Sequence, residues 1–496
     1  MRRSLRFSLF SAGAIAVLLA GAAGGSVAVH AADTHPAAAR PNIVFVLTDD
    51  LSWNLVQYLP QVQALQSAGM TFTDYVVTDS LCCPSRSSIL SGRFPHDTGV
   101  FTNGGSDGGF AYFHGHGEEA DTFATALRAR GYRTAMMGKY LNGYLPAGTE
   151  GGTQPYVPPG WSEWDVAGNG YPEFNYNLNQ NHTVVHYGST PADYLTDVLA
   201  GKGATFISSA ARAHTPFLLE VATFAPHAPY TPAPRDANDF PGLTAPRGPA
   251  YDTLPTDAPP WLASRAPLTA GEQQAIDVAF RKRAQAVQAV NDLIGTLRAA
   301  LTAAGVAGDT YLVFSSDNGY HMGEYRLNPG KMTAFDTDVR VPLVVAGPGV
   351  PAGKASGAAV ANIDLAPTFE QLGGAATPAT VDGRSLVPLL RGGSGAGWRT
   401  GDLVEHHGPD TQAGDPDLPA PNSGNPPSYE ALRTDTYTYV EYVDGSREYY
   451  DLTRDPQELH NIVGTLSPAR SAQLHTALAG LENCHDGTAC WQAGHV

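Results

Sequence analysis

Four apolar runs in this chain each end on a polar or charged cluster, and that arrangement restricts the fold more than any other feature. Ile43 to Leu47 leads into Thr48-Asp49-Asp50, and Tyr132 to Met137 leads into Gly138-Lys139. Phe217 to Ala222 leads into Ala225-Pro226-His227-Ala228-Pro229, and Thr310 to Ser316 leads into Asp317-Asn318-Gly319. Short, unbroken apolar runs bounded by turn residues read as strands buried on both faces, as in a parallel sheet. Val339 to Val345 reads as a further strand. Between the runs lie helical patterns: Asp121 to Arg130 with Gly131 as its stop, a helix opening at Asp193, and Ala275 to Ala303 with an apolar stripe through Ala286, Val290 and Leu297. Strands alternating with helices predict an α/β fold. In such sheets ligands bind just outside the strand C-termini, which is where the polar clusters fall.

A second feature supplies a reactive group. Leu81-Cys82-Cys83-Pro84-Ser85-Arg86 holds two of the chain's four cysteines. Pro84 suits the first turn of a helix, where its missing N–H costs nothing. Cys82 then stands at the helix N-terminus, where free N–H groups and the dipole favour negative charge. Arg86, one turn on, shares its face. A nucleophile and a guanidinium at a helix N-terminus suit an anionic ligand. On these residues alone, buried structural cysteines remain an equal reading. Asp49, Asp50, Asp317 and Asn318 form an all-oxygen set suited to Ca²⁺, with a helix cap and a plain turn as the bland alternatives.

Length and charge bound the rest. At 496 residues the chain exceeds one comfortable core and predicts a large domain with a smaller one. Met1-Arg2-Arg3-Ser4-Leu5-Arg6, an apolar stretch after it and Val29-His30-Ala31 read as a signal peptide over residues 1–32, with an uncleaved membrane anchor as the alternative. This predicts a secreted or periplasmic protein with no stable membrane association after cleavage. The Gly/Ser-rich residues 391–398 mark the boundary between a main domain, 33–392, and a C-terminal subdomain, 393–496. Tyr437 to Val443 and Arg447 to Leu452 around Asp444-Gly445 predict a hairpin in the latter. Cys484 and Cys490 read as a local disulfide. The formal charge of −17 argues against nucleic acid or a long polyanion as partner.

Cys82-x-Pro84-x-Arg86 followed by Leu90-Ser91-Gly92-Arg93 resembles the signature of the type I sulfatases. The Cys-Cys-Pro-Ser-Arg variant is most similar to the N-acetylglucosamine-6-sulfatase and heparan endosulfatase branch. Gly138-Lys139-Tyr140, Gly330-Lys331-Met332, Asp382-Gly383-Arg384 and Asp451 to Leu459 resemble family stretches in order. The resemblance implies an alkaline-phosphatase-like α/β fold, a mixed sheet flanked by helices, with a smaller C-terminal antiparallel sheet. It implies that a formylglycine-generating enzyme converts Cys82 to Cα-formylglycine. It implies Asp49, Asp50, Asp317 and Asn318, with residue 82, as Ca²⁺ ligands, and Arg86, Lys139, His227 and Lys331 as catalytic groups around the sulfate. Many members carry Gly-Lys-Trp-His; here Tyr140-Leu141-Asn142 follows Lys139, which leaves Asn142 as a candidate replacement for that His. His321 is a candidate pocket residue, and His406 and His407 are candidates for the sugar. The expected substrate is a small or terminal sulfated saccharide such as N-acetylglucosamine 6-sulfate. A phosphonate or phosphodiester hydrolase of the same superfamily and a non-catalytic binder of sulfated glycans are the alternatives.

Overall fold

The computed structural model describes residues 40–496; the expected signal peptide lies outside them. Among the described residues, no helix is long and apolar enough to cross a membrane. Ten strands form one mixed sheet. Their order is Lys354–Ser356, Met70–Phe72, Leu343–Ala346, Thr310–Ser316, Asn42–Thr48, Phe217–Ala222, Arg133–Lys139, Glu163–Ala167, Tyr176–Gln180 and Thr183–Tyr187. The five consecutive strands from Thr310–Ser316 to Glu163–Ala167 are mutually parallel. Their register sets the site: Leu47 lies beside Ala222, Thr48 beside Ser316, and Gly138 beside Ala222. All four polar clusters therefore leave the sheet at one edge.

Both faces are covered, as unbroken apolar strands require. Ile43, Phe45 and Leu47 join one core with the helices Cys82–Ser91, Phe123–Ala129 and Leu365–Gly373. Val44 and Val46 join another with Leu195–Arg212 and Ala270–Ala303. The last helix begins five residues before the expected Ala275, because Thr269 and Glu272 cap it reciprocally. The strand expected from Val339 begins only at Leu343. Asp336–Val339 is a helical turn, and Pro342 has no N–H to give a ladder.

Gly401–His406, Tyr429–Thr434, Tyr437–Tyr442 and Arg447–Asp451 form a four-stranded antiparallel sheet that contains the expected hairpin. Its Leu403, Leu432 and Tyr439 pack on Leu474 and Leu478 of Pro468–Glu482 and on Phe94 and Ile363 of the main body. Cys484 and Cys490 are disulfide-bonded. Residues 40–496 form one compact unit.

His96 ties these parts together. Its Nδ1 lies 2.9 Å from Glu405 and its Nε2 lies 2.8 Å from the carbonyl of Cys484. Burial alone would lower its pKa, but Glu405 raises it to about 9 from 6.5. A raised folded value means that the stabilisation is complete below the unfolded pKa and is lost as pH rises through the folded one. His96→Gln is therefore expected to lower Tm by several degrees near ~pH 6 and by much less near ~pH 10. A difference that stays constant across this range in thermal melts would show that the imidazole pairs in its neutral form.

Candidate active site

The sheet edge gathers groups that sequence distance keeps apart. Asp49 and Asp50 follow Asn42–Thr48, Lys139 ends Arg133–Lys139, His227 lies past Phe217–Ala222, and Asp317-Asn318 follow Thr310–Ser316. Asp50 sits at φ 65°, in the left-handed region that Asp tolerates better than most residues. Its N–H donates to Asp317 Oδ1 at 3.1 Å. Gly138 at φ 99° has no room for a side chain, since a Cβ there would meet the Ala222 carbonyl at 1.9 Å. At the end of this strand the Lys139 side chain reaches Asp49.

The helix Cys82–Ser91 aims its N-terminus at this edge. Cys82 is fully buried; its Sγ lies 3.2 Å from Asp49 Oδ1 and accepts from Lys331 Nζ at 2.9 Å. Leu81 has no side-chain acceptor with which to cap the helix. The free N–H of Cys83 is taken instead by Asn103 Oδ1 at 3.0 Å. Arg86 Nε donates to Asp317 Oδ2 at 2.8 Å and its Nη1 donates to the Lys139 carbonyl at 2.9 Å. Lys139 Nζ donates to Asp49 Oδ2 at 2.6 Å, and Lys331 Nζ donates to Asp50 Oδ1 at 2.7 Å. His227 Nδ1 lies 2.7 Å from the Ala228 carbonyl, which leaves Nε2 facing the site.

Burial and charge set the protonation states. Desolvation opposes the charged forms of Lys139 and Lys331, yet carboxylates led by Asp49 and Asp417 respectively hold both ammonium groups well above their ordinary pKa. Desolvation also opposes charge on His227, but Asp417, Asp50 and Asp49 raise its pKa to about 9. Burial, then Asp317 and Asp417, push the Cys82 thiol well up. Burial raises the Asp49 carboxyl despite Lys139, with Asp317 and Asp50 adding repulsion.

Three buried carboxylates crowded together fit a cation. Ligand atoms of Asp49, Asp50, Cys82 and His227 lie within 4.8 Å of one another. Asn318 donates its Nδ2 to Asp50 Oδ1 at 2.7 Å, while its buried Oδ1 has no partner. Hard oxygen donors with an unused carbonyl suit Ca²⁺ or a similar divalent ion.

The site thus brings together Asp49, Asp50, Cys82, Arg86, Lys139, His227, Asp317, Asn318 and Lys331. Asn142 lines the adjoining cavity and reaches toward Asp417 Oδ2 at 3.5 Å. The other histidines lie elsewhere. His321 is fully buried and pairs with Asp338 at 3.0 Å, behind Lys331. His406 is fully buried near Asp79, and His407 stacks on Phe101 at 3.7 Å; neither lines the cavities at the site. Two functional-site residues escaped the sequence reading. Asn103 gives no local signal. Asp417 lies in Asp415-Pro416-Asp417-Leu418-Pro419, where flanking prolines frame a polar residue as they do at His227.

The sulfatase family pattern matches residues 41–375. The chain belongs to the sulfatase family. It is a sulfuric ester hydrolase of alkaline-phosphatase-like fold. The C-terminal pattern of N-sulphoglucosamine sulphohydrolase matches residues 323–483. N-acetylglucosamine-6-sulfatase of Homo sapiens is 36% identical over 482 residues, covering 92% of this chain and 86% of that protein. A solved structure of BT4656 in complex with its substrate D-glucosamine-2-N,6-O-disulfate superposes with TM-score 0.72 at 22% identity, covering 89% of this chain and 97% of that one. A phosphonate monoester hydrolase from Silicibacter pomeroyi superposes with TM-score 0.69 at 22% identity, covering 90% of this chain and 96% of that one. At these identities the two superpositions speak for the sulfatase's fold alone.

The Arg86–Asp317 pair is buried on both sides. Removing one partner of such a pair leaves an uncompensated charge. Arg86→Gln is expected to lower the sulfatase's unfolding free energy by about 3–5 kcal/mol in urea titrations. A loss under about 1 kcal/mol would mean that Asp317 is balanced without Arg86.

Proposed function

We propose that this protein is a secreted sulfatase that removes the 6-sulfate of N-acetylglucosamine at the end of a glycan, using formylglycine at position 82 and a bound Ca²⁺. The observation that carries this reading is the setting of Cys82. It is buried at a helix N-terminus, between Lys331 Nζ at 2.9 Å and the Asp49 carboxylate at 3.2 Å, with Arg86 one turn behind. Its likeness to N-acetylglucosamine-6-sulfatase over most of both chains supports the sugar. Cavities of about 460 and 350 Å³ beside the site suit a small saccharide. The Cys484–Cys490 disulfide supports export.

In this reading the protein's residues divide the work. Formylglycine at position 82 would supply a hydrated aldehyde as the nucleophile. Ca²⁺ would be held by Asp49, Asp50, Asp317 and Asn318 with residue 82, and would supply Lewis acidity. Lys139 and Lys331 neutralise charge developing on the sulfate oxygens. His227, with Nε2 facing the site, binds sulfate or donates a proton to the departing sugar oxygen. Arg86 keeps Asp317 and the end of the Lys139 strand in register. Residues 33–392, read as the main domain, carry all of these groups.

Two measurements test the reading. The peptide containing residue 82 is expected to be roughly 18 Da lighter than its cysteine form in protein from the native host. An unmodified thiol in the native protein would overturn the mechanism and favour a glycan-binding role. Turnover of N-acetylglucosamine 6-sulfate is expected to exceed that of a phosphodiester and to fall to background in Cys82→Ala. Faster phosphodiester turnover would move the assignment to the phosphonate and phosphodiester hydrolases, whose fold the chain shares.

A further inference from the structure

Asp417 is out of place for a loop residue. Its neighbours Pro416 and Leu418 are exposed, as is most of the 409–422 segment, yet its own side chain is only 2% accessible. The carboxylate enters the active site from outside the sheet edge. Oδ1 lies 2.6 Å from His227 Nε2 and 2.7 Å from Lys331 Nζ, and Oδ2 accepts from Asn103 Nδ2 at 2.8 Å. Such short contacts are those of charge-assisted hydrogen bonds to an anion.

The donors are not free to point elsewhere. His227 is fixed through its Nδ1 contact to the Ala228 carbonyl, and Lys331 reaches Cys82 Sγ as well as Asp417. Asn103 Oδ1 is held by the N–H of Cys83, so its amide nitrogen must face the site. Charge type makes the same point: a sulfate monoester carries a single negative charge, as the Asp417 carboxylate beside Lys331 Nζ does. Space also agrees. The segment separates a cavity lined by Asp50, His227 and Lys331 from one lined by Asn103, Lys139 and Asn142, and Pro416 borders both.

We propose that Asp417 stands in the place of the substrate's sulfate, so that the 409–422 segment is a displaceable lid carrying its own anion and Asn103 is a further sulfate-binding residue. The inference rests on the sulfatase reading above. Any sulfate reaching residue 82 meets Lys331 and His227, and must first expel the carboxylate they hold. Withdrawal joins the two cavities and frees the Asn103 amide for the incoming ester. The lid therefore weakens the apparent affinity for substrate by the fraction of time it is closed. Only anions that compete with a tethered carboxylate gain entry.

Inorganic sulfate is the probe, titrated calorimetrically into the full chain so that turnover is not needed. Asp417→Asn keeps the shape and removes the charge, and Asp417→Ala removes both. Each is expected to bind sulfate about tenfold more tightly than the wild type if the lid is open about a tenth of the time. In the Asp417→Ala background, Asn103→Ala is expected to weaken sulfate about tenfold, the loss of a hydrogen bond to a charged group. Saturating sulfate is expected to speed amide exchange across 409–422 in the wild type. Unchanged or weaker sulfate binding in both Asp417 variants would overturn the proposal, and a weakening would make Asp417 a residue that supports the anion site instead. If Lys331→Ala abolishes sulfate binding while both Asp417 variants match the wild type, the lid fails and the sulfatase assignment stands. If sulfate binds neither the wild type nor any variant, the assignment of the anion site fails with it.

Discussion

The buried pair between Arg86 and Asp317 is the interaction on which the site depends. It joins the helix that presents Cys82 to the end of the strand Thr310–Ser316, and the same guanidinium reaches the last carbonyl of the strand Arg133–Lys139. Three elements that share no local sequence are thereby held in one arrangement. The planar fork of arginine suits this role; a lysine could make one such contact but not hold two directions at once. Desolvating both charges is costly, and the cost is met only because Asp317 also accepts from the N–H groups of Asp50 and Asn318.

The remaining chemistry follows from packing four cationic side chains against four carboxylates in a buried space. Each charge is tolerable only because its neighbours have the opposite sign. This explains why the carboxylates push both lysines and His227 upward against the desolvation that opposes their charge. It also explains why an anion from the protein's own C-terminal part is drawn in. The balance is local: the chain as a whole carries −17, yet the pocket can accept negative charge. A net negative charge on the chain favours small or terminal groups over a long polyanion.

Much of this was legible in the chain because strand periodicity and motif spacing are local properties. The runs at Ile43, Tyr132, Phe217 and Thr310 are strands in the structure, and their exits converge as open-sheet topology requires. Helix starts were less legible at Ala270, where the Thr269–Glu272 box begins the helix ahead of its apolar stripe. Pro342 shortened one expected strand by removing a ladder donor. His321, His406 and His407 show the limit: a histidine near a motif in sequence gives no information about which way its ring packs.

The sequence by itself determined the layered α/β class, the residues that end its strands, and the cysteine at a helix N-terminus, since each follows from periodicity within about ten residues. Only the tertiary structure decided which charge meets which. Asp417 reaches His227 across 190 positions, and Asn103 caps a helix 20 positions behind it. Such contacts arise from the crossing of loops over a sheet edge. They cost loop-closure entropy rather than following local preference, so no spacing in the chain announces them.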